Sequence, residues 1–212
     1  MPTPPNARSV KIADDERGGW SSDRPRRAGA PREADVAVRC KVLRPEAHMR
    51  YSPGSLLMIV SASPAERDRL AERVLESPGL VLSLDKVRAL LTGRGAAEEV
   101  AAEKAPELLD TAVAKRLEAN ETVVLAAAGV SPEERERYVR LAARFRRPRH
   151  LILVEAPRDQ VADEDRAPLN ELRRRLDAGE LGAEGFHSAL RLGGQSVGEL
   201  RRVVFRPEPR DD

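Results

Sequence analysis

One cysteine, Cys40, stands in 212 residues. No disulfide can close within the chain, so nothing asks for an oxidising compartment. The three histidines, His48, His150 and His187, stand far apart in sequence. With a lone cysteine they cannot complete a structural zinc site, and a metal held by protein ligands alone is not expected. No apolar run approaches the ~20 residues of a membrane span. The opening Met-Pro-Thr-Pro-Pro-Asn has no apolar signal segment. Together these absences predict a cytoplasmic protein with no membrane partner. A net charge of only +2 removes the global electrostatic case for nucleic acid. Arginine outnumbers lysine 32 to 5, which reads as the composition of a GC-rich bacterial genome rather than as a set of ligands.

What is present is organised. Residues 1–50 mix Pro, Gly, Ser and charge, with 11 Lys/Arg against 7 Asp/Glu. So little apolar surface cannot offset chain entropy, and a disordered tail is expected there. Val36 to Leu43 alternates weakly, as an added edge strand or a docking segment would. Trp20, alone in the polar tail, reads as an incidental residue ahead of a partner-binding anchor. Ser52-Pro53-Gly54 marks the entry to a folded domain over 53–206, and 207–212 form a polar tail.

Within that domain, Leu56 to Val60 is a continuous apolar run, as in a strand covered on both faces. Leu70, Ala71, Val74 and Leu75 recur at helical spacing, and Pro78-Gly79 ends the helix. Leu80 to Leu84 is a second strand, followed by a helix from Asp85 to Gly93. Another helix carries Leu108 to Leu117, with Pro106 starting or kinking it. Glu121 to Ala126 is the third strand. Ser131-Pro132-Glu133-Glu134 offers an N-cap, a first-position proline and a capping-box acid. His150 to Glu155 is the fourth strand, and Asp159 to Leu176 a charged helical segment that is either a mobile cover or a solvated helix. Phe186 to Leu192 and Arg201 to Arg206 are further strands. Strands alternating with helices predict an α/β fold, a three-layer sandwich around a mainly parallel sheet of about five strands.

In an open parallel sheet ligands bind beyond the carboxyl ends of the strands. The loops after Val60, Leu84, Ala126 and Glu155 should therefore share one rim. A strand, a loop and a helix over Ser55 to Leu75, with a second strand ending in an acid at Asp85, have the shape of a phosphate-binding unit. Here the chain resembles the P-loop kinases of the polynucleotide-kinase-like group, often labelled ATP-binding or AAA-family ATPases. The segment Val81-Leu-Ser-Leu-Asp-Lys-Val-Arg-Ala-Leu-Leu-Thr-Gly93 carries the resemblance most strongly. It implies a P-loop NTPase fold, ATP and magnesium as cofactors, Asp85 as the base for a substrate hydroxyl, and Arg88 as a clamp on a substrate phosphate. For Asp85 the rival reading is an N-cap of the following helix.

The phosphate loop departs from that pattern. Where the family has Gly-x-x-x-x-Gly-Lys-Ser/Thr, this chain has Ser61-Ala62-Ser63-Pro64-Ala65-Glu66-Arg67-Asp68. Ser61 and Glu66 replace the glycines, Arg67 the lysine and Asp68 the hydroxyl residue, while Pro64 removes an N–H from the anion nest. An acid ~5 Å from a phosphate charge costs about 3 kcal/mol at an effective dielectric near 20, or about two decades of affinity. Ala126 to Gly129 stand where the family commonly has Asp-Ala-Thr-Asn. In the charged segment, Arg166 stands where the family uses arginine on the transferring phosphate, with a solvated helix as the rival.

Groups that act as a unit in phosphoryl transfer are lost together. The expectation is a kinase-like ATP-binding fold with a degenerate loop, serving as a binding or scaffolding module with weak or absent ATP and magnesium. The alternative is an active phosphotransferase on a nucleic-acid 5′-hydroxyl or a small molecule. Asp85, Arg88, Arg67, Arg166 and Asp68 would then carry the chemistry, beside Ser61 and Ser63 in the loop. A protein partner is left open, and nucleic acid is weakly supported, since Arg24-Pro-Arg-Arg27 is short and diluted by acids.

Overall fold

A computed structural model describes residues 36–207. The expectations for Trp20, for Arg24 to Arg27 and for the polar tail from 208 onward lie outside the described residues.

The main sheet is built from β1 (Lys41–Leu43), β3 (Leu56–Val60), β4 (Val81–Ser83), β5 (Val123–Ala127), β6 (Arg149–Val154) and β7 (Ser188–Leu192). Their order is β1-β7-β6-β3-β5-β4, and every pairing is parallel. The sheet has six strands where about five were expected, because the weakly alternating stretch after Val36 supplies the edge strand β1. That segment also docks. The Val38 amide donates to Gly182 O at 2.9 Å, and a Cβ on Gly182 would lie 2.1 Å from Val38 O, so only glycine admits this contact.

Helices α1 (Pro64–Val74), α2 (Leu84–Gly93), α3 (Glu98–Glu118), α4 (Pro132–Arg144), α5 (Asp163–Asp177) and α6 (Gln195–Glu199) connect the strands. The two-residue alternation of the central strands sorts the core into two layers. Leu56, Met58 and Val60 face Leu109, Val113, Val139 and Leu172 from α3, α4 and α5. Leu57 and Ile59 face Leu70, Ala71 and Val74 of α1. Pro106 does not start the helix, since α3 begins at Glu98 and runs through it.

A second sheet, not expected, pairs β2 (His48–Tyr51) with β8 (Arg202–Phe205) in parallel. Its inward residues Met49, Tyr51 and Val203 complete the α1 layer. The expected last strand therefore exists but stays out of the main sheet. The folded unit also begins before Ser52-Pro53-Gly54. The expectation of disorder to residue 50 is corrected for 36–50, because Met49 and Tyr51 are buried against the core. The period-two burial of β2 was too short a signal to outweigh the surrounding polar composition.

Candidate active site

Strand order reverses at β3: the chain runs from it to the β4 edge, returns to β5, then crosses to β6 and β7. Ligand crevices form outside the carboxyl ends of the strands at such a point. A cleft of about 540 Å³ opens there on the β5 side, between the starts of α1, α2 and α4 and the flank of α3. Its walls are apolar at Leu84, Leu109, Leu125 and alanines 126–128, and charged at Arg67, Asp85, Glu133, Glu134 and Arg137.

The connection from β3 into α1 is short. The strand ends at Val60 and the helix begins at Pro64, leaving residues 61–63 between them. Ser61 is buried, and its Oγ accepts the Ser63 amide at 3.1 Å. Ser63 is the N-cap of α1: its side chain accepts the Glu66 amide at 3.5 Å, and its carbonyl accepts the Arg67 amide at 3.2 Å. The Ser63 hydroxyl in turn donates to Gln160 Oε1 at 2.9 Å. These amides are thus turned to internal partners, and Pro64 has none to offer. Glu66 points to the surface and pairs with Arg69 at 2.7 Å.

Arg67 is drawn inward, with 4% of its side chain exposed. Its Nε donates to Asp68 Oδ1 at 2.8 Å and one Nη to Asp68 Oδ2 at 3.2 Å. The same guanidinium lies 3.6 Å from Asp85 Oδ2. Arg88 approaches the other Asp85 oxygen at 3.8 Å, from a side that faces a separate depression beside Thr92 and Ala101. Asp68, Arg67, Asp85 and Arg88 therefore form one chain of charge.

Asp85 is not the cap of α2. Ser83 is, accepting the Lys86 amide at 3.2 Å, and Asp85 sits in the first helical turn with 65% of its side chain exposed. The strand ends one residue earlier than the apolar run suggested, which moves the cap from the acid to the serine. Ser131 likewise makes no side-chain cap of α4. Glu134 reaches past it to accept the Gly129 amide at 2.7 Å. Gly129 has φ +57°, and a Cβ there would meet Val60 Cγ2 at 2.7 Å, so the end of β5 closes tightly on the end of β3.

Arg166 is not gathered into the cleft. It lies on α5 and pairs with Asp163 at 2.8 Å. α5 itself is pinned to the core through Leu169, Leu172 and Leu176 and is no loose cover. Its arginines are engaged as well: Arg173 holds Glu155, Arg174 holds Glu171 and Glu180, and Arg175 holds Glu184. Burial pushes the Glu155 carboxyl up, but hydrogen bonds from Arg173 and Arg191 outweigh it and leave it below the usual carboxylate range.

Several site features escaped the sequence reading. Arg137 is paired with Asp110 of α3 across the cleft wall. Tyr138 is buried in the lining, its hydroxyl pushed up by burial, lowered by Arg137 and raised by Glu134, with a net rise. Arg135, 1% exposed, donates to the carbonyls of Gly129 at 2.7 Å and Val130 at 2.9 Å while holding Glu184. Proline and two acids at the start of α4 marked a helix; they gave no sign that this helix closes a site. Among the described residues, no group of three or more His, Cys, Asp and Glu could hold a metal ion, and no helix is long and apolar enough to cross a membrane.

No curated protein matches the chain. Among solved structures, "a putative kinase from Chloroflexus aurantiacus J-10-fl" is 15% identical over 66% of this chain and 85% of its own, with a TM-score of 0.41. The family model for an AAA domain matches residues 67–178, beginning at Arg67, just past the β3–α1 turn. With more than half of its length matched, the chain belongs to the AAA domain family of P-loop NTPase-like kinase domains.

Proposed function

We propose that the protein is a P-loop kinase-like domain whose phosphate loop has lost its function, and that it acts as a binding or scaffolding module for a protein partner. The observation that carries this reading is the internal pairing of Arg67 with Asp68 and Asp85. The position that should present a free cation to phosphate holds a guanidinium already neutralised and almost fully buried. Freeing it would leave two carboxylates uncompensated beside an incoming polyanion.

ATP and magnesium are the groups the family implies, and the residues present do not fit them. A loop of three residues between β3 and α1 is too short to wrap a polyphosphate, and its Ser63 amide, with those of Glu66 and Arg67, is spent on local bonds. Asp68, the only side chain at the position of the magnesium-binding hydroxyl, is engaged by Arg67. The arginines of α5 that could neutralise a transferring phosphate are paired with carboxylates.

One observation favours the alternative of an active phosphotransferase: Asp85 is exposed at the rim, where a base for a substrate hydroxyl belongs. The two readings separate in one experiment. MgATP is titrated calorimetrically into the full chain, and transfer of labelled γ-phosphate to a 5′-hydroxyl oligonucleotide is followed. No heat and no transfer at millimolar MgATP is the expected result. Micromolar binding that Arg67→Ala abolishes would overturn the proposal.

A further inference from the structure

We infer that the cleft takes a compact apolar ligand carrying one positive donor group, of the arylalkylammonium or amidine class. This rests on the reading above, that the site no longer serves phosphate.

The three alanines 126–128 leave open the end of β5, and Leu84, Leu109 and Leu125 give the space an apolar wall. A volume of about 540 Å³ suits a small ring system rather than a polymer. Burying such a ring against these residues supplies affinity without direction.

Direction comes from which hydrogen-bonding groups remain. Most of the donors around the cleft already have partners. Glu66 and Lys86 amides are capped by Ser63 and Ser83, the Gly129 amide by Glu134, and the Arg67 and Arg137 guanidinium groups by Asp68 and Asp110. Among the charged lining residues carboxylates outnumber guanidinium groups, with Asp85, Glu133 and Glu134 against Arg67 and Arg137. Asp85 has only loose partners, at 3.6 and 3.8 Å. Counting the partners behind the wall, Asp68, Asp85, Asp110, Glu133 and Glu134 face Arg67, Arg88 and Arg137. An anion entering here meets an excess of carboxylate, and one left uncompensated at ~5 Å costs about two decades of affinity, whereas an ammonium gains such groups as partners.

The test is a charge series on a constant ring. Phenethylammonium, 2-phenylethanol and phenyl phosphate are titrated into the full chain by calorimetry, with MgATP in parallel. Phenethylammonium is expected to bind at least tenfold tighter than 2-phenylethanol, with phenyl phosphate weakest. Asp85→Asn with Glu133→Gln, both at exposed positions, should erase the preference while circular dichroism stays unchanged. Ala128→Leu, at the mouth, should weaken the cation and the alcohol alike. A preference for phenyl phosphate, or cation binding untouched by the double variant, overturns the inference. Silence from all three ring probes and from MgATP overturns it and leaves the loss of phosphate binding standing. Tight binding of both MgATP and phenyl phosphate overturns both.

Discussion

Glu155, at the end of β6, accepts Arg173 Nε from α5 through both oxygens at 3.0 Å, and the same carboxylate takes Arg191 Nε of β7 at 2.6 Å. One acid thus ties a helix and an edge-side strand to the sheet. Glu155→Ala leaves two guanidinium groups facing each other in a partly shielded site. Both remain partly solvated, so a loss of about 1–3 kcal/mol is expected by urea denaturation. Because the folded carboxyl sits below its unfolded value, its contribution is present at neutral pH and falls as pH drops below about 4.5. The Glu155→Gln variant should show a flatter stability profile across that window.

Arg135→Met removes the one side chain that satisfies the Gly129 and Val130 carbonyls and faces Glu184. The site is nearly solvent-free, and truncating one partner of a buried pair typically costs about 3–5 kcal/mol. Loss of cooperative unfolding at 25 °C, or a midpoint lowered by that amount, is the expected outcome; a change below about 1 kcal/mol would mean the pair is dispensable.

His150 packs against Tyr51 with ring centroids 4.7 Å apart and planes tilted by 44°, and its Nδ1 meets Ser188 Oγ at 2.8 Å. Burial, then the neighbouring His187 and Arg149, hold its pKa down to about 4, against 6.5 for the free side chain. The folded state keeps the ring neutral while the unfolded state takes up a proton, so stability falls as pH drops from 6.5 toward 4. A shift of that size corresponds to roughly 3 kcal/mol over the window. His150→Phe should remove this slope in urea titrations at pH 7, 6, 5 and 4; an unchanged slope would assign it to other groups.

Ser83 and Asp85 offer a clean contrast. Ser83→Ala removes the side-chain cap of α2 and is expected to cost about 1 kcal/mol. Asp85→Ala removes a carboxylate that is itself mostly exposed and whose ion pairs are loose, at 3.6 and 3.8 Å, and should change stability by less than about 0.5 kcal/mol. Equal losses for the two would return the capping role to the acid.

The difference in legibility between scaffold and site has a physical cause. Leu56 to Val60 announced a doubly covered strand because burial on both faces demands an unbroken apolar run, and Val81 to Gly93 announced a strand followed by a helix, with the junction one residue off. β2 stayed hidden because a short strand carrying His48 and Arg50 on its outer face looks like tail. Of the residues singled out in the sequence, Arg67, Asp68, Asp85 and Arg88 do come together in space. Which of them are spent on one another is a matter of side-chain geometry across elements distant in sequence, as is the pairing of Arg137 with Asp110. Arg166 shows the converse, a residue in the expected segment whose helix is docked with that side chain turned to Asp163.

The β2–β8 pair joins residues 48–51 to residues 202–205 and covers the α1 side of the sheet. During synthesis all strands of the main sheet leave the ribosome before β8 does. Leu57 and Ile59 therefore wait, incompletely covered, until the last strand arrives, while β2 holds an unpaired edge. Closure by so distant a pairing carries a high loop-closure cost and slows folding. Apolar surface on the α1 side stays open until β8 pairs, which leaves that step exposed to misassembly.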